Sequence, residues 1–128
     1  MNFCIGTTKE FGRGLYATNK YYANEIIESA EILVLSKGDT DKVNETDLKY
    51  YTFVYNVAKG QDCLVLGNGE IFNHSDTPNV KYDLVRYHDR FKMVFVSTRD
   101  IEIGEQLFID YNRDIKVDTT KYVGKNMV

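Results

Sequence analysis

Residues 80–98, VKYDLVRYHDRFKMVFVST, alternate apolar and polar positions on both sides of Tyr87–Arg90. A period of two belongs to strands with one buried face, and two such runs about a short polar break predict a β-hairpin. Shorter strands are expected over 2–5, 14–17, 26–28, 31–35 and 62–66, with a last one in GEQLFIDY, residues 104–111. The turn-rich GTTKEFGRG separates the first two, and KGDTDKVNET, residues 37–46, reads as a loop. One short helix is predicted in DLKYYTFVYN, where Thr46 can cap the start and Leu48, Tyr51 and Tyr55 fall at helical spacing. Helices do not alternate with strands, so a doubly wound α/β sheet is disfavoured. The expected class is mainly β, built from several small sheets with few short helices. A faint echo, ANEII at 23–27 and IGEQL at 103–107, marks two turns that each open a strand.

The 128 residues are expected to form a single domain spanning 1–128, long enough to bury a core without metals or disulfides. No apolar run reaches the ~20 residues of a membrane span, and the N-terminus lacks the charged and apolar regions of a signal peptide. Cys4 and Cys63 stand apart with no CxxC, so no metal cluster is expected and an intracellular, reducing compartment is the default. Sixteen basic against nineteen acidic residues leave a net charge of −3, with no basic stripe to read nucleic acid. A mildly acidic surface suits a basic partner such as a lysine-rich peptide. Ten Tyr, seven Phe and no Trp suit a channel with apolar walls and a polar end, although tyrosine is also simply a good strand former.

GRGLYA, residues 12–17, satisfies G-x-G-x-x-A, yet no sustained helix follows and the dinucleotide reading is rejected. Ser75, His74 and Asp76 are adjacent in one segment, which a hydrolase triad almost never is. A metal set of His74, His88, Asp83 and Asp89 is disfavoured, because His88 sits in the probable hairpin turn. The segment GEIFNHSDTPN, residues 69–79, sets Asn73, His74 and Ser75 directly behind Ile71 and Phe72. That order asks for recognition of something polar at the edge of the interior.

In sequence order, GRGLYA, YYTF, GEIFNHSDTPN and GEQLFIDYN together resemble the SET domain of protein-lysine methyltransferases, in its minimal, stand-alone form known from viruses and bacteria. The third segment matches the N-H-S-x-x-P-N part of the F-x-N-H-S-x-x-P-N signature, with Phe72 as its aromatic, and the fourth matches G-E-x-L-x-x-D-Y. The resemblance covers residues 3 to about 112, with 113–128 as a C-terminal lid. It implies a SET (β-clip-like) fold with a knot-like C-terminal crossing past the N-H-S loop. It also implies transfer of methyl groups from S-adenosyl-L-methionine to the ε-amine of a lysine in a protein or peptide, a histone among the candidates. A catalytically inactive SET-like module that binds a peptide or the cofactor is the alternative.

On this resemblance Tyr111 is catalytic, while Gly12, Arg13, Gly14, Tyr51, Asn73, His74 and Tyr122 bind the cofactor. Tyr50, Tyr51, Ile109 and Tyr111 face the substrate, and no metal is implied. Ile109 stands where many members carry Phe or Tyr, which leaves room for more than one methyl group. Glu105 and Asp110 are expected to be structural, Glu105 as a strand-opening residue. The expected partner is a lysine-containing tail rather than nucleic acid or a membrane, with the protein a monomer or homodimer. A histone substrate would place it at chromatin.

Overall fold

The computed structural model describes residues 3–10 and 12–111. Its strands are β1 (Phe3–Thr8), β2 (Gly12–Ala17), β3 (Ile26–Val34), β4 (Thr52–Asn56), β5 (Gln61–Leu66), β6 (Asn73–His74), β7 (Val80–Tyr87), β8 (Arg90–Ser97) and β9 (Gln106–Ile109). One helix, α1 (Lys37–Val43), and 3-10 turns at Asp47–Tyr51 and Gly69–Ile71 interrupt them. The described chain divides into two compact units, the first holding residues up to Ser29, Ile71–Asp83 and those from Val94 onward. The second holds Ala30–Glu70 and Leu84–Met93, so the division falls within β3, β7 and β8.

The first unit carries a four-stranded sheet in the order β1-β2-β9-β6. β1 and β2 are antiparallel from Phe3↔Ala17 to Thr8↔Gly12, so GRGLYA is strand along its whole length. The expected turn shrinks towards Lys9 and Glu10, because the cross-strand pairing absorbs the residues on either side of it. β2 pairs β9 antiparallel through Leu15↔Leu107 and Tyr16↔Gln106, and β6 pairs β9 in parallel through Asn73↔Phe108 and His74↔Ile109. Alternation then sorts the side chains of β9. Leu107 and Ile109 are buried, whereas Gln106 and Phe108 lie on the partly exposed face with Tyr16. Phe72, fully buried, stacks on Phe95 with ring centres 4.8 Å apart, and Tyr82 lies 6.0 Å from Phe95 on its other contact. The apolar half of IFNHS is thus sunk in the core directly ahead of the polar half.

The echo between ANEII and IGEQL is a pair of matching turns. Tyr21 and Ile101 form an isolated antiparallel bridge, each donating its N–H to the other's carbonyl at 2.9 Å. Three residues later, Asn24 and Gly104 both adopt positive φ (67° and 89°). The next residue in each case is a glutamate whose carboxylate accepts a backbone N–H three residues back: Glu25 from Tyr22 at 3.2 Å, Glu105 from Glu102 at 2.7 Å. The Glu102 N–H, and after it the Arg99 guanidinium, holds the Glu105 carboxyl below the ordinary carboxylate range. A lowered native value stabilises the fold above the unfolded value of ~4.3 and is lost as acid titrates through the native value. Glu105→Gln is therefore expected to cost up to about 1 kcal/mol at neutral pH, a figure kept small by solvent screening. Thermal melts should show the gap to the parent protein narrowing from pH 7 towards pH 3; a gap independent of pH would remove the charge as its cause.

In the second unit β5 lies between β4 and β3 within a sheet of order β4-β5-β3-β8-β7. The hairpin expected at 80–98 is β7–β8, with exposed His88 at φ 58° in its turn. Two expectations are corrected. The segment read as a loop contains α1, capped by the Ser36 hydroxyl accepting the Asp39 N–H at 3.1 Å. Its single buried side chain, Thr40, accepts the Asp62 N–H at 3.0 Å, so polar bonds hold a helix that has no apolar stripe. The helix expected in DLKYYTFVYN is instead a 3-10 turn, capped by Thr46 as anticipated, followed by β4. Once Phe53 pairs with Cys63 across β5, the extended form prevails over helical spacing.

Candidate active site

Asn73 and His74 form the two-residue strand β6, held in place by β9 on one side and by Phe72 below. Asn73 reaches sideways across the sheet: its Nδ2 donates to the Arg13 carbonyl at 2.7 Å and to Gln106 Oε1 at 2.9 Å. A backbone carbonyl only accepts, so the contact with Arg13 fixes which end of the amide is nitrogen. His74 Nδ1 accepts the Tyr111 N–H at 2.9 Å, which leaves the proton of the neutral ring on Nε2, 3.0 Å from Asp76 Oδ1. Asp110 Oδ1 stands 3.6 Å from Nδ1, so two carboxylates flank the imidazole. The Tyr111 ring tilts against His74 with centres 5.3 Å apart, and its hydroxyl donates to the Phe72 carbonyl. Tyr111 is thereby pinned to the Phe72–His74 segment through its backbone N–H and its hydroxyl.

The first unit thus gathers Gly12, Arg13, Gly14, Asn73, His74, Ile109 and Tyr111. Gly12 has φ 76°, a backbone state that favours glycine, and a Cβ there would meet nothing. Gly14 is different. A Cβ on it would fall 2.6 Å from Gln106 Oε1 and 2.9 Å from Asn73 Nδ2, so its missing side chain makes room for two protein amides. Ile109 is buried at 1% exposure and contributes to the core. Tyr50 and Tyr51 belong to the second unit, in the 3-10 turn Asp47–Tyr51, where Tyr50 is open to solvent under a Lys49 ammonium. Tyr122 lies outside the described residues.

Sequence reasoning passed over Gln106, which bonds Asn73 within the cluster and also lines, with Tyr16, Phe108 and the residues from Thr7 to Glu10, an open groove of about 330 Å³. The period-two alternation of β9 is the signal that could have found Gln106 and Phe108. Asn79, 2% exposed, ties its amide to β9 by accepting the Phe108 N–H at 2.8 Å and donating to the Gln106 carbonyl at 2.9 Å.

The SET domain family profile matches residues 12–112, which takes in both ends of this cluster. The chain belongs to the SET-domain family. This SET domain is 32% identical over 108 residues to a Schizosaccharomyces pombe histone-lysine N-methyltransferase described as H3 lysine-37 specific, covering 84% of the chain and 71% of that relative. Among solved structures it resembles the Plasmodium falciparum protein PFL0690c with a TM-score of 0.71 and 24% identity, over 89% of this chain and 96% of that one. A humanized mutant of the Chaetomium thermophilum Polycomb Repressive Complex 2, bound to the inhibitor GSK126, aligns with a TM-score of 0.71 and 17% identity, over 86% of this chain and 15% of that one. CpSET8 from Cryptosporidium aligns at 0.69 and 22%, over 86% and 57%. The structural matches establish the shared fold, and the mainly-β SET architecture expected from the sequence is the one found.

Proposed function

We propose that this SET domain transfers methyl groups from S-adenosyl-L-methionine to the ε-amine of a lysine in a basic protein segment. Its standing as a protein-lysine N-methyltransferase follows from its family and from the histone-lysine methyltransferase it resembles over most of its length. The observation that carries the reading furthest is the clamp of Tyr111 on the Phe72–His74 segment, beside the Arg13 carbonyl.

The donor set is compatible with the cofactor. Among the described residues β6 is the outer strand of its sheet, and since the Ser75 N–H bonds back to Ile109, alternation turns the His74 N–H and carbonyl away from β9. A donor and an acceptor side by side match the edge of an adenine ring. Asn73, His74 and the backbone of Gly12–Gly14 are the proposed holders, with Tyr51 and Tyr122 proposed from the resemblance. When bound, the group supplies a methyl on a cationic sulfur, already activated for displacement.

The remaining work belongs to the protein. Lysine must react as the neutral amine although its ordinary pKa is ~10.4, and desolvation on docking beside a positive charge would favour that form. Positioning then lowers the barrier without a dedicated base. The Tyr111 hydroxyl commits its proton to the Phe72 carbonyl, which leaves the lone pairs of its oxygen available to stabilise the partial positive charge a transferred methyl would carry. Tyr50 and Ile109 are proposed, from the resemblance alone, to border the lysine. The acidic net charge favours a basic tail, and a histone tail is the substrate class proposed.

The test is incubation of the protein with isotopically labelled donor and purified histones, read by mass spectrometry. Label on lysine of a basic tail is expected. Donor binding without transfer to any basic protein would replace the enzyme reading with that of a recognition module.

A further inference from the structure

The Asn73 side chain uses both hydrogens of its amide on protein partners, Arg13 on β2 and Gln106 on β9. Among the described residues what it has left for a ligand is Oδ1, an acceptor. The Arg13 carbonyl alone would hold one hydrogen and leave the other free to turn outward. Gln106 Oε1 takes the second, and Gly14 lacks the Cβ that would push this pair of amides apart. Three neighbouring strands thus each contribute one element of the device: a vacancy on β2, an acceptor on β9 and the amide on β6. We infer that Gln106 is a positioning residue of the donor site, holding Asn73 so that it presents an acceptor to an N–H group of the methyl donor. The inference rests on the reading of Asn73 as a cofactor contact. Gln106 acts through Asn73 and touches no reacting atom.

The consequences are specific. Gln106→Leu, close in volume, frees the second hydrogen and should weaken S-adenosyl-L-methionine binding about tenfold in calorimetry. Gln106→Glu keeps an acceptor at the same place and should restore affinity to within about threefold, since hydrogen bonds to charged acceptors are the stronger ones. Gly14→Ala should mimic Gln106→Leu, because the added methyl displaces the far ends of two flexible side chains. Adding Gln106→Leu to Asn73→Ala should cause no further loss, as a residue acting through another must be non-additive with it. Nuclear magnetic resonance of the Asn73 side-chain amide supplies a readout independent of the donor: two hydrogen-bonded protons in the parent, one in Gln106→Leu. Thermal melts of every variant exclude unfolding as the cause. If the parent binds the donor and Gln106→Leu binds it equally, or if the two losses add, the inference falls while the proposed function stands. A folded parent that binds no donor overturns the proposed function, and the role of Gln106 with it.

Discussion

Tyr111→Phe is expected to reduce methyl transfer by at least about a hundredfold while donor affinity stays within about threefold. Losing one well-placed dipole at the reacting centre costs on the order of 10²–10³ in turnover elsewhere. The aromatic ring, and with it the contact to His74, is kept. The Tyr111 N–H to His74 bond is also kept, because it belongs to the backbone. What disappears is the hydroxyl and its bond to the Phe72 carbonyl, whose structural share is about 1 kcal/mol. Single-turnover kinetics with a histone tail, beside calorimetry of donor binding, separate the two quantities. A variant that transfers at more than a tenth of the parent rate would deny the hydroxyl its place at the methyl.

The second large effect is on stability. Asn79→Ala should destabilise the fold by about 2–4 kcal/mol, measured by chemical denaturation, since it strands two backbone groups of β9. The Phe108 N–H and the Gln106 carbonyl both lose their partner to a residue that is 2% exposed. The Asn79 carbonyl still accepts from the Thr98 N–H, so the loop keeps one tether and the damage is concentrated on the strand that leads to Tyr111. Turnover should therefore fall in Asn79→Ala even at temperatures where the variant is folded. A cost below about 1 kcal/mol would mean that water replaces the amide at both groups.

The motifs were legible because each is a local pattern with a local consequence. Phe72 ahead of Asn73 and His74 announces a polar contact at the border of the core, and the alternation of 80–98 announces β7–β8. Misreadings arose where tertiary pairing outvoted local spacing. The glycines at 12 and 14 suggest a turn, but β1 pairs with them residue by residue and β9 pairs with Leu15 and Tyr16 just beyond. Lys37–Val43 offers no apolar periodicity, since the Ser36 cap and the Thr40 hydroxyl suffice to hold it. Gln106 occupies the variable position of G-E-x-L-x-x-D-Y, where the signature carries no information. Its part emerges only when Asn73 is brought against it from 33 residues upstream.

The mutual bridge between Tyr21 and Ile101 gives the chain a fixed mark from which the last strand is counted off. Losing one residue between that mark and Gln106 would exchange the two sides of the strand, driving an amide into the interior and turning Leu107 and Ile109 out to water. The length of an otherwise ordinary surface turn is thus what keeps the amide of β9 out of the core and its two aliphatic side chains within it.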